Sequence, residues 1–165
     1  MVLRMARPYK HPNSGVFYLR VRVPSDLVNL VGRTLEKQSL RTKDVGEARV
    51  RFAMAIADLT TRWSNLRQGL VRPTYEQMNA YSADFFDVYC REIETGRWSP
   101  FWDEALAAVT SRFVEMPNDR NSHSEFKRLC GGRIDDYFAQ RGIRIVPEMR
   151  GAVDLRIAKA ILDAI

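Results

Sequence analysis

Val16 to Pro24 read VFYLRVRVP, an alternation that suits only an extended backbone. Successive side chains of a strand point to opposite faces, so Phe17, Leu19, Val21 and Val23 line one side and Tyr18, Arg20 and Arg22 the other. The apolar side needs a cover, and the sequence supplies one. From Val45 the apolar residues recur at Ala48, Phe52, Ala55, Ile56, Leu59, Trp63 and Leu66, which is one face of a helix of some 24 residues ending near Gly69. Asp44 followed by Glu47 has an acidic version of capping-box spacing at its start.

Two further extended segments are expected beside the strand. A basic arm from Arg4 to Lys10 leads through the turn chemistry of HPNSG into Val16, so arm and strand read as a hairpin. Pro24 ends the strand, PSDLVNLVG fits a short helix starting at Pro24 or Ser25 and leaving at Gly32, and Thr34 to Leu40 read as the next strand.

Pro73 breaks the pattern, and the next 90 residues are helical in spacing. Thr74 with Gln77 caps a helix that carries Met78, Tyr81, Phe85, Val88, Tyr89 and Ile93 and stops at Gly96. Ser99 and Pro100 open another, with Phe101, Ala105, Leu106, Val109 and Phe113 inward and Pro117 as its limit. After the loop NDRNS, Ser122 with Glu125 has the spacing to start a helix carrying Phe126, Leu129, Cys130, Ile134 and Phe138. Gly131 and Gly132 fall inside this stripe without breaking its phase, which predicts a kinked or closely packed helix rather than two. Gly142 ends it, and after a short extended IRIV a last helix begins near Pro147. Its stripe runs to Ile165 without punctuation, which is expected either of the front part of a longer polypeptide or of a docked terminal helix.

The expected fold class is therefore α+β. A small three-stranded antiparallel sheet packs on a long helix in residues 1–70, and an all-helical segment occupies residues 73–165.

Charge separates the two parts. Residues 1–72 contain 14 Lys and Arg against 5 Asp and Glu, a net of +9, whereas residues 73–165 contain 12 against 15, a net of −3. Such an asymmetry points to a polyanion for the first part, nucleic acid before an anionic membrane surface. No run of about 18 apolar residues exists and the first ten residues lack the apolar segment of a secretory signal, so the expected location is the cytoplasm. Cys90 and Cys130 stand forty positions apart without neighbouring ligands, which argues for reduced, buried thiols and against zinc.

Catalytic signatures are not found. There is no phosphate-binding glycine loop, no H-E-x-x-H and no G-x-S-x-G, and neither His11 nor His123 has the company of a nucleophile or base. Asp135 and Asp136, adjacent on a helix, diverge into solvent rather than share a proton. Trp98, Phe101 and Trp102 form the densest aromatic stretch, either a seam between helices or a docking patch.

The candidate binding residues are Tyr18, Arg20 and Arg22 from the strand, Arg4, Arg7, Tyr9 and Lys10 from the arm, and Lys37, Arg41 and Lys43 from the next strand and its exit. Guanidinium groups fork onto phosphates and guanine edges, and a small sheet can enter the major groove of DNA. A sheet face kept soluble by its charge is the competing explanation.

FYLRVRVPSDL followed by LVGRTLEKQSLRTKDVGEARVR resembles the N-terminal region of bacterial and phage integrases of the tyrosine recombinase family. That region carries an aromatic-rich strand with paired arginines, then V-P-x-D-L, a glycine, a strand, and S-L-x-T before an alanine-arginine helix. Tyr18, Arg20, Arg22, Val23, Pro24, Asp26, Leu27, Gly32, Ser39, Leu40, Thr42, Asp44, Ala48 and Arg49 match in order and spacing. The resemblance covers about residues 8–66, and RIDDYFAQRGIRIVPEM resembles more loosely the helical stretch such integrases place before their core-binding domain. Arg41 stands where relatives often have glycine, so it either alters that turn or adds a phosphate contact.

The resemblance implies an arm-type DNA-binding module of a site-specific recombinase, with double-stranded DNA and other integrase subunits as partners. It implies no cofactor, metal, membrane or small-molecule substrate. The family's H-x-x-R element is missing, since Pro-Asn-Ser follows His11 and Ser-Glu-Phe follows His123, and the expectation is a chain that does not cut DNA. The rivals are a short non-catalytic competitor for integrase sites and a protein-interaction adaptor whose helical half docks a partner.

Overall fold

In the computed structural model β1 (Tyr9–Lys10), β2 (Phe17–Arg22) and β3 (Leu35–Ser39) form an antiparallel sheet in the order β1-β2-β3. The structure describes residues 7–95 and 103–163; Arg4, Gly96, Trp98, Ser99, Pro100, Phe101 and Trp102, together with residues 164 and 165, lie outside them. The chain divides into two units, Met1–Gly69 and Leu70–Ile165, each with its own core.

In the first unit the strand alternation is realised. Phe17, Leu19 and Val21 are buried, while Arg20 and Arg22 are exposed and Tyr18 is half-buried. α2 (Val45–Gln68) covers the apolar face with Ala48, Phe52, Ala55, Leu59 and Trp63, all buried. Trp63 is thus a core residue. A fully buried leucine such as Leu19 contributes roughly 1.5–3 kcal/mol relative to an exposed one, so this seam is what holds sheet to helix. Val45, first in the predicted stripe, is instead half-exposed, since it precedes the covered part of the sheet. α1 (Val28–Val31) starts later than Pro24 or Ser25, because Leu27 first closes a turn by donating its N–H to the Pro24 carbonyl. Gly32 ends it with φ 73°, a left-handed conformation that glycine adopts freely.

β3 explains its own mixed pattern. Its register with β2 pairs Val21 with Glu36 and Leu19 with Gln38 on the helix side of the sheet. Glu36 is buried there and ion-paired with Arg33 at 2.6 Å and Arg62 at 3.6 Å. A buried carboxylate persists only when paired, and the two arginines come from the β3 approach and α2.

The second unit is helical apart from one short parallel pair. α3 (Tyr75–Glu94) begins with a reciprocal capping box: the Gln77 N–H donates to Thr74 Oγ1 at 3.2 Å and the Thr74 N–H to Gln77 Oε1 at 2.9 Å. α4 (Asp103–Glu115) and α3 both pack on α7 (Pro147–Leu162), which opens on a proline. Between them, α5 (Arg120–Phe126) starts three residues earlier than the Ser122–Glu125 spacing suggests. Asp119 is the cap, accepting from the Ser122 N–H at 2.8 Å, while the buried Ser122 hydroxyl donates to the Met116 carbonyl at 2.7 Å. An aspartate upstream outcompeted the serine because the serine hydroxyl was claimed by the preceding turn.

α5 runs through a π-helical turn, Lys127–Gly131, into α6 (Gly132–Arg141). The helix is continuous, and the glycine has a steric reason: a Cβ on Gly131 would lie 2.9 Å from Lys127 Cγ. β5 (Arg144–Ile145) lies within the extended IRIV and pairs in parallel with β4 (Leu70–Val71), a strand that two residues beside a glycine do not announce. Asp135 is not solvated alone; it accepts from Arg150 at 2.7 Å, and Arg150 also meets the buried Asp154. No helix of the described residues is long and apolar enough to cross a membrane.

Candidate nucleic-acid interface

The register of the sheet decides which candidate side chains share a face. Directly opposed residues of an antiparallel pair project to the same side. Tyr9 opposes Tyr18, Tyr18 opposes Ser39, Arg20 opposes Lys37, and Arg22 opposes Leu35. Tyr9, Tyr18, Arg20, Arg22 and Lys37 therefore form one outer face on three strands. The Arg20 guanidinium lies 6.0 Å from the Tyr9 ring centre and Lys37 Nζ 5.2 Å from the Tyr18 ring. His11, in the hairpin turn, places its ring 5.8 Å from that of Tyr18.

Lys10 belongs to the other side. It opposes Phe17, and its Nζ lies 5.8 Å over the Phe17 ring on the helix side of the sheet. Arg7 lines a groove with Pro8, Phe17, Val45, Arg49 and Phe52, and Lys43 lies beside Lys10 at Gly15. Arg7, Lys10 and Lys43 are thus not on the sheet face: the arm contributes only one outward position, Tyr9, before the hairpin turns, and Lys43 lies past the end of β3, just before α2. Arg4 lies outside the described residues.

Arg41 has φ 52°, the only non-glycine among the described residues with positive φ, a conformation that glycine adopts freely. The bend is held from beneath. Arg51 donates from Nη1 to the Leu40 carbonyl at 2.8 Å and the Arg41 carbonyl at 3.2 Å, and its Nη2 pairs with Glu47. Glu47 also accepts from the Thr42 hydroxyl, so only half of the capping box forms: Asp44 Oδ1 accepts from the Glu47 N–H at 2.7 Å, but the Glu47 side chain turns to Thr42 and Arg51. Left-handed backbone costs an ordinary residue about 1–2 kcal/mol. Arg41→Gly is accordingly expected to leave the unfolding free energy within about 1 kcal/mol of the parent, and Arg41→Val to lower it by about 1–2 kcal/mol, as read by urea unfolding.

The residues that carry the integrase resemblance sort into physical roles. Val23, Leu27, Leu40 and Ala48 are buried. Asp26 accepts from Arg67 Nε at 2.7 Å, a hydrogen bond that holds its carboxyl below the usual range and ties the α2 end to the turn after β2. Thr42, Asp44 and Gly32 shape turns and helix ends. Arg20, Arg22 and Arg49 are the cations of the pattern without a carboxylate partner among the described residues.

The cations of the first unit divide in the same way. Arg33, Arg51, Arg62 and Arg67 are tied to Glu36, Glu47 or Asp26. Among the described residues Arg7, Lys10, Arg20, Arg22, Lys37, Arg41, Lys43 and Arg49 have no carboxylate partner. Arg20 and Lys37, like charges directly opposed, are an arrangement that destabilises a sheet unless an anion lies over it.

Arg49 was legible as a departure from pattern: it sits four residues after Val45 and three before Phe52, a charge within an apolar stripe. Arg51 and Glu36 carried no such mark. In the second unit Cys130 is buried and its thiol is pushed up to about 12, chiefly by burial, which makes it a poor nucleophile; Cys90 is only partly buried. Tyr137 donates to Asp84 at 2.8 Å under the Arg141 guanidinium, and burial, then that hydrogen bond, raises its phenol.

Neither the curated proteins nor the solved structures contain a match to this chain. Residues 9–68, from the first residue of β1 to the last of α2, match the family model of a domain of unknown function (DUF6538); the outer sheet face falls inside the matched stretch and the helices after α2 lie beyond it.

Proposed function

We propose that this chain binds duplex DNA through the outer face of the β1-β2-β3 sheet, as the DNA-binding module of a site-specific recombinase of the tyrosine recombinase type. The observation that carries the reading is the opposed Arg20–Lys37 pair, flanked by Arg22, Tyr9 and Tyr18 and without a carboxylate among the described residues. Geometry supports it. Three strands spaced about 4.8 Å apart span roughly 10 Å between the outer backbones, within the roughly 12 Å width of the B-DNA major groove.

In this reading the roles differ by side chain. Arg20 and Arg22, on alternate positions of β2, reach the same groove, where a guanidinium fork meets guanine O6 and N7 or a phosphate. Lys37 acts as a point charge on phosphate. Tyr9 and Tyr18 hold the cations in place and offer hydroxyls to the backbone. The chain makes and breaks no covalent bond in this role; strand exchange belongs to the recombinase, and the partners are double-stranded DNA and other recombinase subunits.

The test is fluorescence anisotropy of a labelled duplex titrated with the full chain across a salt series. Each phosphate neutralised contributes about −0.9 to the slope of log affinity against log salt, so Arg20, Arg22 and Lys37 predict a slope of about −3 or steeper. Absence of binding at low salt overturns the reading.

A further inference from the structure

The cations that the sheet face leaves aside gather on the helix side of the same sheet edge. Phe17 and Phe52, both buried, and the half-exposed Val45 make an apolar floor. Arg7 and Arg49 line it. Lys10 and Lys43 stand at its hairpin end, their Cε and Cδ 3.8 and 4.0 Å from the position a Cβ on Gly15 would take. None of the four has an ion-pair partner among the described residues.

An apolar floor rimmed by unpaired cations suits a ligand that is apolar on one side and anionic along its edge. A deoxyribose–phosphate chain has that character: the sugar offers carbon–hydrogen surface and the phosphates offer charge. The position adds a geometric argument. Tyr9 faces outward and Lys10 toward the groove from adjacent positions of the edge strand, so a duplex whose major groove receives the sheet has one backbone passing along β1.

We propose that the groove lined by Arg7 and Arg49 over Phe17, Val45 and Phe52, with Lys10 and Lys43 at its hairpin end, seats the sugar–phosphate backbone of the duplex that the sheet face enters. The proposal rests on the DNA-binding reading and adds a second, sequence-independent contact to it. Its phosphate contacts position the protein, while Arg20 and Arg22 read base edges.

The full chain, Lys43→Gln/Arg49→Gln, the charge-conserving Lys43→Arg/Arg49→Lys and Arg20→Ala/Arg22→Ala are compared in the salt-series titration, with folding checked by circular dichroism. The glutamine pair is expected to bind about tenfold or more weakly at 0.1 M salt, with a slope shallower by about 2, and the charge-conserving pair to keep the parent slope. An unchanged slope in the glutamine pair, with binding lost in Arg20→Ala/Arg22→Ala, overturns the groove and leaves the sheet face standing. Loss confined to the glutamine pair supports the groove and overturns the sheet face; no binding by the parent overturns both. If the glutamine pair loses only its sedimentation with anionic phospholipid vesicles and keeps its DNA slope, the groove is a membrane contact and the proposal falls.

Discussion

Arg20→Ala/Arg22→Ala is expected to weaken duplex binding by about 2–6 kcal/mol, roughly 30-fold to 20,000-fold, taking about 1–3 kcal/mol for each arginine that contacts a base or phosphate. Both side chains are exposed and neither takes part in an ion pair among the described residues, so the fold does not depend on them. Unfolding free energy is expected to stay within about 0.5 kcal/mol of the parent, or to rise slightly, because removing Arg20 relieves its opposition to Lys37. Anisotropy and urea unfolding on the same preparations separate the two effects. Affinity equal to the parent's would mean that the outer face is a solvated surface.

Phe126→Ala is expected to cost the helical unit about 3–5 kcal/mol. Phe126 is 1% exposed and stacks on Phe113 with ring centres 4.6 Å apart, and Phe113 stacks in turn on His123 at 5.3 Å. Truncation opens a cavity at the junction of α4 and α5, where Phe113 and His123 lose the ring they stack around. The thermal transition of this unit should fall by roughly 15 °C or more. DNA affinity below that transition should be retained, because every proposed contact lies within residues 7–49. A parallel loss of binding would move the interface into the helices.

Much of this architecture was written in local pattern. The period-two run at Phe17–Arg22 and the 3.6-residue stripe from Ala48 to Leu66 specify a strand and a helix with one apolar face each, and burial leaves them little option but each other. Thr74–Gln77, Gly142 and Pro147 likewise mark helix ends through chemistry held within a few residues. Asp119 was missed because two capping candidates stood three residues apart, and only the packing of Ser122 against Met116 decided between them.

The candidate interface was legible only in part, and the limit has a geometric cause. Alternation along one strand tells that Tyr18, Arg20 and Arg22 share a face, since side-chain direction there is a property of the backbone alone. Whether Lys37 joins them and Lys10 leaves them depends on inter-strand register, in which a shift of one residue exchanges the two faces. Which cations are already neutralised was equally hidden: Arg51 finds Glu47 within its own helix, but Arg62 reaches Glu36 and Arg67 reaches Asp26 from across the fold. Residue type and local spacing determined the sheet, the long helix and the basic strand. Only the tertiary structure sorted the charges into those that hold the unit together and those left for a partner, because that division rests on distances between segments the chain brings together only by folding.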